Sequence, residues 1–186
     1  SVKVLYLAGL PDSLKTAQDL GIPTLNNNPW QYGLTLVLGG GEVTLLDMTS
    51  AYSVYANNGV RNPPKGILEI EDGEGNVLEE FSPKPETVLD EQIALQISSI
   101  LSDNKARAPA FGETSALYFP EREVAVKTGT TNDYRDAWVV GYTPNLAVGV
   151  WAGNNDNTPM EKKVAGFIVA PLWNAFFKKS FEYLPK

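Results

Sequence analysis

The sequence predicts an α+β chain in which an antiparallel β-sheet packs against helices. Toward the C-terminus, runs of β-branched and aromatic residues at 123–126, 137–142 and 146–152 alternate with polar turns, which is typical of an antiparallel meander. Before them, apolar residues recur every three or four positions between capping residues, which is typical of amphipathic helices. With 186 residues, 43% of them hydrophobic, the chain can bury the core of one domain.

The first predicted elements are two short helices, at 2–8 and 12–20. Pro11 and Asp12 begin the second helix and Gly21 ends it, in agreement with the usual preferences at helix termini. A loop is expected at 26–29, where three asparagines precede a proline.

The next predicted helix begins after Thr44, which is a favourable N-cap, and runs to about Asn58, where Gly59 stops it. Apolar residues recur along it at helical spacing. We expect this stripe to pack in the core and not to line a substrate groove. Its residues are Leu45, Met48, Tyr52 and Tyr55.

A hairpin and a further helix are expected before the strands. The runs 67–71 and 77–81 flank a glycine-rich acidic turn, which predicts a hairpin with a solvated acidic face. Segment 90–101 is predicted to be an amphipathic helix. Its expected core residues are Ile93, Ile97, Ile100 and Leu101.

After the strands, one helix is expected over about 166–184. Pro171 marks either a kink in this helix or its true start, because proline removes a backbone donor and is tolerated in a first turn. The helix carries Ile168, Leu172, Trp173, Phe176 and Phe177.

The stretch Lys127-Thr128-Gly129-Thr130-Thr131 follows directly on the first strand run. A lysine beside threonine hydroxyls would place a cation and several donors on an exposed strand face, which suits a substrate carboxylate. A backbone N–H on such a strand can stabilise a developing oxyanion. The alternative is a solvent-facing edge strand whose lysine only opposes aggregation. The strand context favours the functional interpretation.

Lys-Thr-Gly is one of three signatures of serine enzymes that bind β-lactams. Segment 127–156 contains it together with Arg-Asp-Ala-Trp, Gly-Tyr-Thr-Pro and Val-Gly-Val-Trp-Ala-Gly-Asn-Asn-Asp, and it resembles the end of the transpeptidase domain of class A penicillin-binding proteins. Segments 32–48 and 51–59 resemble the region that precedes the triplet in this family. The resemblance implies the C-terminal portion of the β-lactamase/transpeptidase-like fold.

The same resemblance implies that other parts of the active site lie elsewhere. Family members carry a nucleophilic serine in Ser-x-x-Lys and then a Ser-x-Asn motif, and segment 1–9 is similar to the helix that follows Ser-x-Asn. Residues 1–186 are therefore expected to be the C-terminal part of a single transpeptidase domain. Its N-terminal part, with the nucleophile, is expected to be a partner outside this chain, and the chain alone is expected to be inactive.

The family resemblance implies a peptidoglycan D,D-transpeptidase that cross-links stem peptides through a serine acyl-enzyme and binds β-lactam antibiotics. Lys127 and Thr130 are the expected catalytic residues: Lys127 tunes the proton network around the serine, and the Thr130 N–H donates to the oxyanion. Thr128, Gly129, Thr130 and Thr131 are the expected substrate-binding residues, with Gly129 leaving room for the substrate backbone. No cofactor and no metal are expected.

The resemblance also implies a location on the extracytoplasmic side of the membrane. The expected setting is the periplasm or the cell-wall side, with the parent protein anchored in the cytoplasmic membrane by a segment outside this chain. No apolar run in the sequence itself is long enough to span a membrane.

Composition excludes several other kinds of chemistry. The chain has no histidine, which excludes Ser-His and Cys-His couples, and no cysteine, which excludes thiol nucleophiles and thiolate metal sites. A net charge of -7 without a basic cluster argues against nucleic acid as a partner. The glycines at 39–41 lack the lysine and hydroxyl spacing of a nucleotide-binding loop.

Ser102-Asp103-Asn104-Lys105 satisfies both Ser-x-x-Lys and Ser-x-Asn with the same serine. One serine cannot be both the nucleophile and the separate hydroxyl that relays its proton, so we interpret this segment as a helix end running into a loop. Two other functions stay open. One is a non-catalytic module of the same fold that binds a peptide or a partner, and the other, which segment 135–156 disfavours, is a β-lactamase or penicillin-sensing receptor.

Overall fold

The structure is a computed structural model that describes residues 1–25 and 28–185, without the side chain of Pro29. The loop predicted at 26–29 therefore lies partly outside the described residues. The α-helices are α1 (Val2–Ala8), α2 (Leu10–Asp19), α3 (Pro29–Tyr32), α4 (Leu45–Ala56), α5 (Glu91–Ser102), α6 (Asn104–Phe111), α7 (Ala165–Ile168) and α8 (Ala170–Ser180), and Gly33–Leu38 is a 3-10 helix. The strands are β1 (Val60–Arg61), β2 (Glu69–Glu71), β3 (Val77–Glu80), β4 (Glu86–Thr87), β5 (Ala125–Thr130), β6 (Asp136–Thr143) and β7 (Leu146–Gly153).

Helix α4 begins and ends where the sequence predicts. The Thr44 hydroxyl oxygen accepts a hydrogen bond from the Asp47 N–H at 3.1 Å and donates to the Asp47 carboxylate at 2.7 Å, which satisfies a free donor of the first turn. At the other end, Gly59 has a φ of 89° and its N–H donates to the Val54 carbonyl at 2.8 Å. A Cβ at Gly59 would collide with the Leu89 carbonyl, so only glycine fits this stop.

Strands β5, β6 and β7 form the predicted antiparallel meander, in the order β5-β6-β7. Thr128 lies opposite Val139, and Trp138 lies opposite Trp151. Strand β5 is an edge strand, since it pairs only with β6 within the described part of the chain. The predicted α+β class, an antiparallel sheet with packed helices, is confirmed.

Helices cover both faces of this sheet. On one face, α8 packs through Trp173 and Phe177, which are both fully buried. A Cβ at Gly141 would collide with the Trp173 indole, so glycine there lets α8 approach the sheet closely. On the opposite face, Gly149 gives the same room to Thr49 of α4. The three strands are thus sandwiched between α4 and the C-terminal helices.

Helix α5 turns a different side inward from the one predicted. Ala94 is fully buried, and the Ser98 hydroxyl shares a hydrogen bond with the Tyr142 hydroxyl at 2.9 Å, so the inward face runs through these two small residues. The prediction was wrong for Ile93 and Ile100, which are 47% and 68% exposed. Small side chains let a helix approach closely, and a count of apolar residues does not reveal this. The other two expected core residues are half-buried, Ile97 and Leu101.

The segment after Ser102 was predicted to run into a loop, and this was wrong, because it forms helix α6. The Asp103 carboxylate accepts a hydrogen bond from the Ala106 N–H at 2.9 Å and so caps the new helix. Alanine and arginine follow, both good helix formers, and the helix continues past Pro109 to Phe111.

The C-terminal segment contains two helices where one was expected. They are separated at Val169, and α8 carries Pro171 in its first turn, where the missing N–H has no intrahelical partner to lose. Of the two alternatives for Pro171, the true start of a helix is therefore confirmed. Helix α8 ends at Ser180, and its outer face leaves Leu172 and Phe176 65% and 54% exposed.

The predicted hairpin is present as β2 and β3, and both strands are exposed along their whole length. Asp72 holds its turn by accepting hydrogen bonds from the N–H groups of Glu74 and Asn76. These bonds, and above all the one from the Asn76 side chain, lower the pKa of Asp72. The acidic face is solvated, as expected. In the part of the chain that the structure describes, no helix has the length and apolar character needed to cross a membrane.

Candidate active site

A cleft of about 700 Å³ lies between the sheet face that α4 covers and the glycine-rich segment 37–43. Strand β5 and the residue that follows it contribute the whole of 127–131 to its lining. Half-buried side chains of α4 line it as well, namely Leu45, Met48 and Tyr52. The prediction that the α4 stripe packs in the core and does not line a groove is therefore wrong for Leu45 and Tyr52. It is confirmed for Tyr55, which packs against a second core cluster that contains Leu14 and Val54, whereas Met48 packs against that cluster and also lines the cleft.

The free edge of β5 carries unpaired backbone groups. The Thr131 N–H donates to the Asp136 carbonyl at 3.2 Å, which identifies this residue pair as a hydrogen-bonded one. Hydrogen-bonded and non-hydrogen-bonded pairs alternate along an antiparallel ladder. The pairs that contain Thr130 and Thr128 are therefore non-hydrogen-bonded pairs. The N–H and C=O groups of Thr128 and Thr130 therefore point away from β6, toward the open edge.

Lys127 places its ammonium at this edge. Its Nζ donates to the Thr128 carbonyl oxygen at 2.6 Å, one of the outward-pointing acceptors. Partial desolvation in the cleft lowers the pKa of Lys127, because loss of water around the ammonium disfavours the charged form. Within residues 1–25 and 28–185 this ammonium forms no ion pair with a carboxylate. The edge thus holds an unpaired cation beside free backbone donors, which suits an anionic ligand.

The hydroxyls of Thr128 and Thr130 do not share a strand face with Lys127, contrary to the sequence-based expectation, because side chains alternate along β5. Thr130 is directed toward α7, where its hydroxyl oxygen accepts a hydrogen bond from the Ala165 N–H at 3.0 Å. This bond fixes the side chain and leaves the hydroxyl hydrogen available for donation. Lys127, Thr128 and Thr130 all line the cleft, but the lysine and the two threonines belong to opposite faces of β5.

Gly129 opens onto the cleft opposite Trp138. A Cβ built on Gly129 would lie 3.4 Å from the Trp138 Cβ, which is an acceptable contact, and its backbone conformation is open to other residues. Packing within the described chain therefore does not require glycine here. Its expected role, to make room for a substrate backbone, stays a prediction.

The structure adds residues that the sequence analysis did not propose for the site. The Asp136 carboxylate accepts hydrogen bonds from the Thr131 hydroxyl at 2.8 Å and from the Trp151 indole N–H at 2.9 Å. Trp151 lies beside Trp138, with ring centroids 6.4 Å apart, and all four residues line the cleft. The Arg-Asp-Ala-Trp motif contains Asp136 and Trp138. Their contacts with Trp151 depend on strand register, which the sequence does not give.

Tyr52 borders the cleft at the end of a tyrosine cluster. Its ring contacts Tyr55 and Tyr142, with centroids 5.8 Å and 6.3 Å away. Burial, with a smaller contribution from the two neighbouring phenols, raises the pKa of Tyr52 to about 12. Tyr52 is therefore a neutral, half-buried wall of the cleft and not a base at ordinary pH.

Ser102 lies away from this cleft. It is the last residue of α5, and its hydroxyl donates to the Ser99 carbonyl at 3.3 Å. It borders a separate hollow of about 330 Å³, together with Arg107. This position supports the structural interpretation of Ser102-Asp103-Asn104-Lys105 over a catalytic one.

The asparagine-rich segment after β7 forms a turn, since the Asn157 N–H donates to the Asn154 carbonyl at 2.9 Å. Among the residues with described coordinates, no group of three or more acidic side chains is arranged to hold a metal ion. The oxygen atoms of this segment bond within the turn: the Asp156 carboxylate accepts from the Thr158 N–H and hydroxyl, and these bonds lower the pKa of Asp156.

Comparison with known proteins gives consistent matches. Residues 15–176 match the family described as the penicillin binding protein transpeptidase domain. The chain is 35% identical over 183 residues to penicillin-binding protein 1A of Aquifex aeolicus (strain VF5), which covers 96% of this chain and 23% of that protein. It is 30% identical over 192 residues to penicillin-binding protein 2D of Bacillus subtilis (strain 168), which covers 100% of this chain and 27% of that protein.

The fold agrees with these matches. The PonA1 protein of Mycobacterium tuberculosis, solved in complex with penicillin V, superposes with a TM-score of 0.83 at 22% identity, covering 100% of this chain and 54% of that one. The chain spans about a quarter of the length of the curated relatives it matches. The family match extends over most of the sequence and includes the cleft-lining strand. This chain belongs to the family of penicillin-binding protein transpeptidase domains.

Proposed function

We propose that this chain supplies the Lys-Thr-Gly side of the active site in a serine-type D,D-transpeptidase that cross-links peptidoglycan. The observation that carries the proposal is the free edge of β5, where the Thr130 N–H points outward beside the Lys127 ammonium. Acyl transfer needs a donor for the oxyanion and a counter-charge for the substrate carboxylate, and the edge offers both.

A stem peptide that ends in two D-alanines would lie along β5 as an added strand. Its backbone would bond the outward groups of Thr128 and Thr130, and Gly129 would leave room for it on the cleft side. Its terminal carboxylate would bind the Lys127 ammonium and the Thr130 hydroxyl hydrogen. An added strand requires the Thr128 carbonyl, so the Lys127 ammonium would exchange that acceptor for the carboxylate as the peptide binds.

In the reaction, a serine from outside residues 1–186 attacks the carbonyl carbon of the penultimate D-alanine. The carbonyl oxygen becomes an oxyanion that accepts a hydrogen bond from the Thr130 N–H. The peptide C–N bond to the terminal D-alanine then breaks. The serine proton passes through the network that includes Lys127 to the departing D-alanine amine. An amine of a second stem peptide attacks the ester, loses a proton to the network, and restores the serine hydroxyl.

Penicillins fit the same arrangement. Their carboxylate would take the place of the stem-peptide carboxylate, and opening of the lactam ring would leave a stable ester on the serine. The relative PonA1 was solved in complex with penicillin V, which supports β-lactam binding by this chain's parent protein. We further propose that the reaction takes place on the extracytoplasmic side of the membrane, where peptidoglycan is assembled.

The activity can be tested with a synthetic pentapeptide that ends in D-Ala-D-Ala. The full-length protein is expected to release D-alanine from it and, when an amine acceptor is added, to form the transpeptidation product. The matched control is the same peptide with a C-terminal amide. We expect it to react at least about tenfold more slowly, because it offers no charged partner for Lys127. Equal rates for acid and amide would contradict the role of Lys127 as the partner of the carboxylate. No release of D-alanine would contradict the proposed activity and favour a binding module.

A further inference from the structure

The residue that follows β5 is clamped by a single carboxylate. The Thr131 hydroxyl donates to the Asp136 Oδ2 at 2.8 Å, and the Asp136 N–H donates back to the Thr131 hydroxyl oxygen at 2.8 Å. The Thr131 N–H also donates to the Asp136 carbonyl at 3.2 Å. Three hydrogen bonds therefore join these two residues directly beside Thr130, whose N–H faces the open edge.

The turn that joins β5 to β6 adopts a backbone geometry that carries an energetic cost. Asp133 and Tyr134 have φ values of 59° and 57°, in the left-handed region that residues other than glycine adopt only at a cost. Local preference therefore does not favour this turn, and the bonds at its two ends compensate. One end is the clamp of Thr131 by Asp136, and the other is the Met160 N–H, which donates to the Tyr134 carbonyl at 3.0 Å.

The same carboxylate holds one wall of the cleft. Asp136 Oδ1 accepts the Trp151 indole N–H at 2.9 Å. The indole lies over Gly153, where a Cβ would come within 2.5 Å of the Trp151 Cζ2, so the absence of a side chain there lets the ring fold toward Asp136. Trp151 and Trp138 then form a continuous aromatic wall along the cleft.

We propose that Asp136 is a positioning residue for acyl transfer: its carboxylate, held between the Thr131 hydroxyl and the Trp151 indole, keeps the end of β5 and the aromatic wall in one fixed arrangement. The inference rests on the proposed function, because the position of the Thr130 N–H matters only if an oxyanion forms there. Asp136 does not touch the reacting atoms. It acts through Thr131 on the strand that would bind them.

Acylation by benzylpenicillin separates positioning from binding in the full-length protein. Asp136→Asn and Thr131→Val are expected to lower the first-order acylation constant about tenfold, while the dissociation constant of the non-covalent complex changes by less than about twofold. Asparagine keeps the shape of the side chain but turns an N–H₂ group toward one of the two donors. Thr131→Ser retains the hydroxyl and is expected to acylate faster than Thr131→Val, which would show rescue by the conservative change.

Three further variants make the test specific. The double variant with Asp136→Asn and Thr131→Val should be no slower than the slower single variant, because both changes break the same contact. Asp19→Asn, the same chemical change at the exposed partner of Lys15 in α2, should leave acylation unchanged. Trp151→Phe, which removes the indole N–H, should also lower the acylation constant. It replaces Asp136→Asn in the test if that variant does not fold.

Wild-type rates in both Asp136→Asn and Thr131→Val would overturn this inference and leave the proposed function intact. So would additive losses in the double variant, or a loss in Thr131→Ser equal to that in Thr131→Val. A wild-type protein that penicillin does not acylate would instead overturn the proposed function, and the role of Asp136 with it.

Discussion

Lys127→Met is expected to slow acylation of the full-length protein by a β-lactam by about 10²–10³-fold, the range typical for loss of a group that moves protons or stabilises charge in acyl transfer. Methionine retains the apolar stem of the side chain and removes only the ammonium. The cleft would keep its shape but would lose the cation at the edge of β5, which forms no carboxylate ion pair within the described residues. Stopped-flow measurement with a fluorescent penicillin gives the rate directly.

The matched control is Lys105→Met. Lys105 is the exposed lysine of the Ser102-Asp103-Asn104-Lys105 segment, and it lies on α6, away from the cleft. The variant should acylate at the wild-type rate. If Lys105→Met were as slow as Lys127→Met, or if Lys127→Met were fully active, the assignment of the active site to β5 would be wrong.

Trp173→Ala is expected to cause the largest loss of stability, about 3–5 kcal/mol, because it empties a site in a fully packed core. Trp173 is 0% exposed, and its ring contacts Phe177 and Phe119 with centroids 4.7 Å and 5.5 Å away. Its indole N–H donates to the Val148 carbonyl at 3.0 Å, so truncation also leaves a backbone acceptor of β7 without a partner.

Scanning calorimetry of the full-length protein checks this prediction in the transition of the transpeptidase domain. A loss of this size should lower its Tm by about 6–20 °C, at the 2–4 °C per kcal/mol that is typical of domains of about 150–250 residues. Leu172→Ala is the control, since the neighbouring side chain is 65% exposed and its truncation should change stability by no more than about 0.5 kcal/mol. Similar shifts for both variants would contradict the packing of α8 on the sheet through Trp173.

The sequence predicts those parts of the fold that depend on local chemistry. Thr44 caps its helix as expected, because its side chain accepts a backbone N–H in the first turn. The β5–β7 meander follows from strand runs separated by polar turns. The position of Pro171 in the first turn of α8 follows from its missing backbone N–H, which has no intrahelical partner there. The Lys-Thr-Gly strand lies beside a cleft, although the roles of its residues stay predictions.

The remaining features depend on how elements pack, which local patterns do not encode. The inward face of α5 passes through Ala94 and Ser98 because Tyr142 approaches there, so Ile93 and Ile100 remain exposed. Strand register likewise decides which residues meet across the sheet.

Asp136 is the clearest case of this dependence. It is close to Thr131 in sequence, but its contact with Trp151 requires the pairing of β6 with β7 and the space above Gly153.

The placement of Lys127 on one strand face and of Thr128 and Thr130 on the other follows from the alternation of side chains along a strand. The expectation that the lysine and these hydroxyls share one exposed face was therefore wrong.

The most direct test of the account is intact-mass spectrometry of the full-length protein after incubation with penicillin, followed by peptide mapping of the adduct. We expect one adduct with the mass of the intact antibiotic, on a serine outside residues 1–186, and its loss or strong delay in Lys127→Met. No adduct on the folded protein would contradict the proposed transpeptidase. An adduct on Ser102 would place the nucleophile within this chain and contradict the assignment of the site to the cleft beside β5.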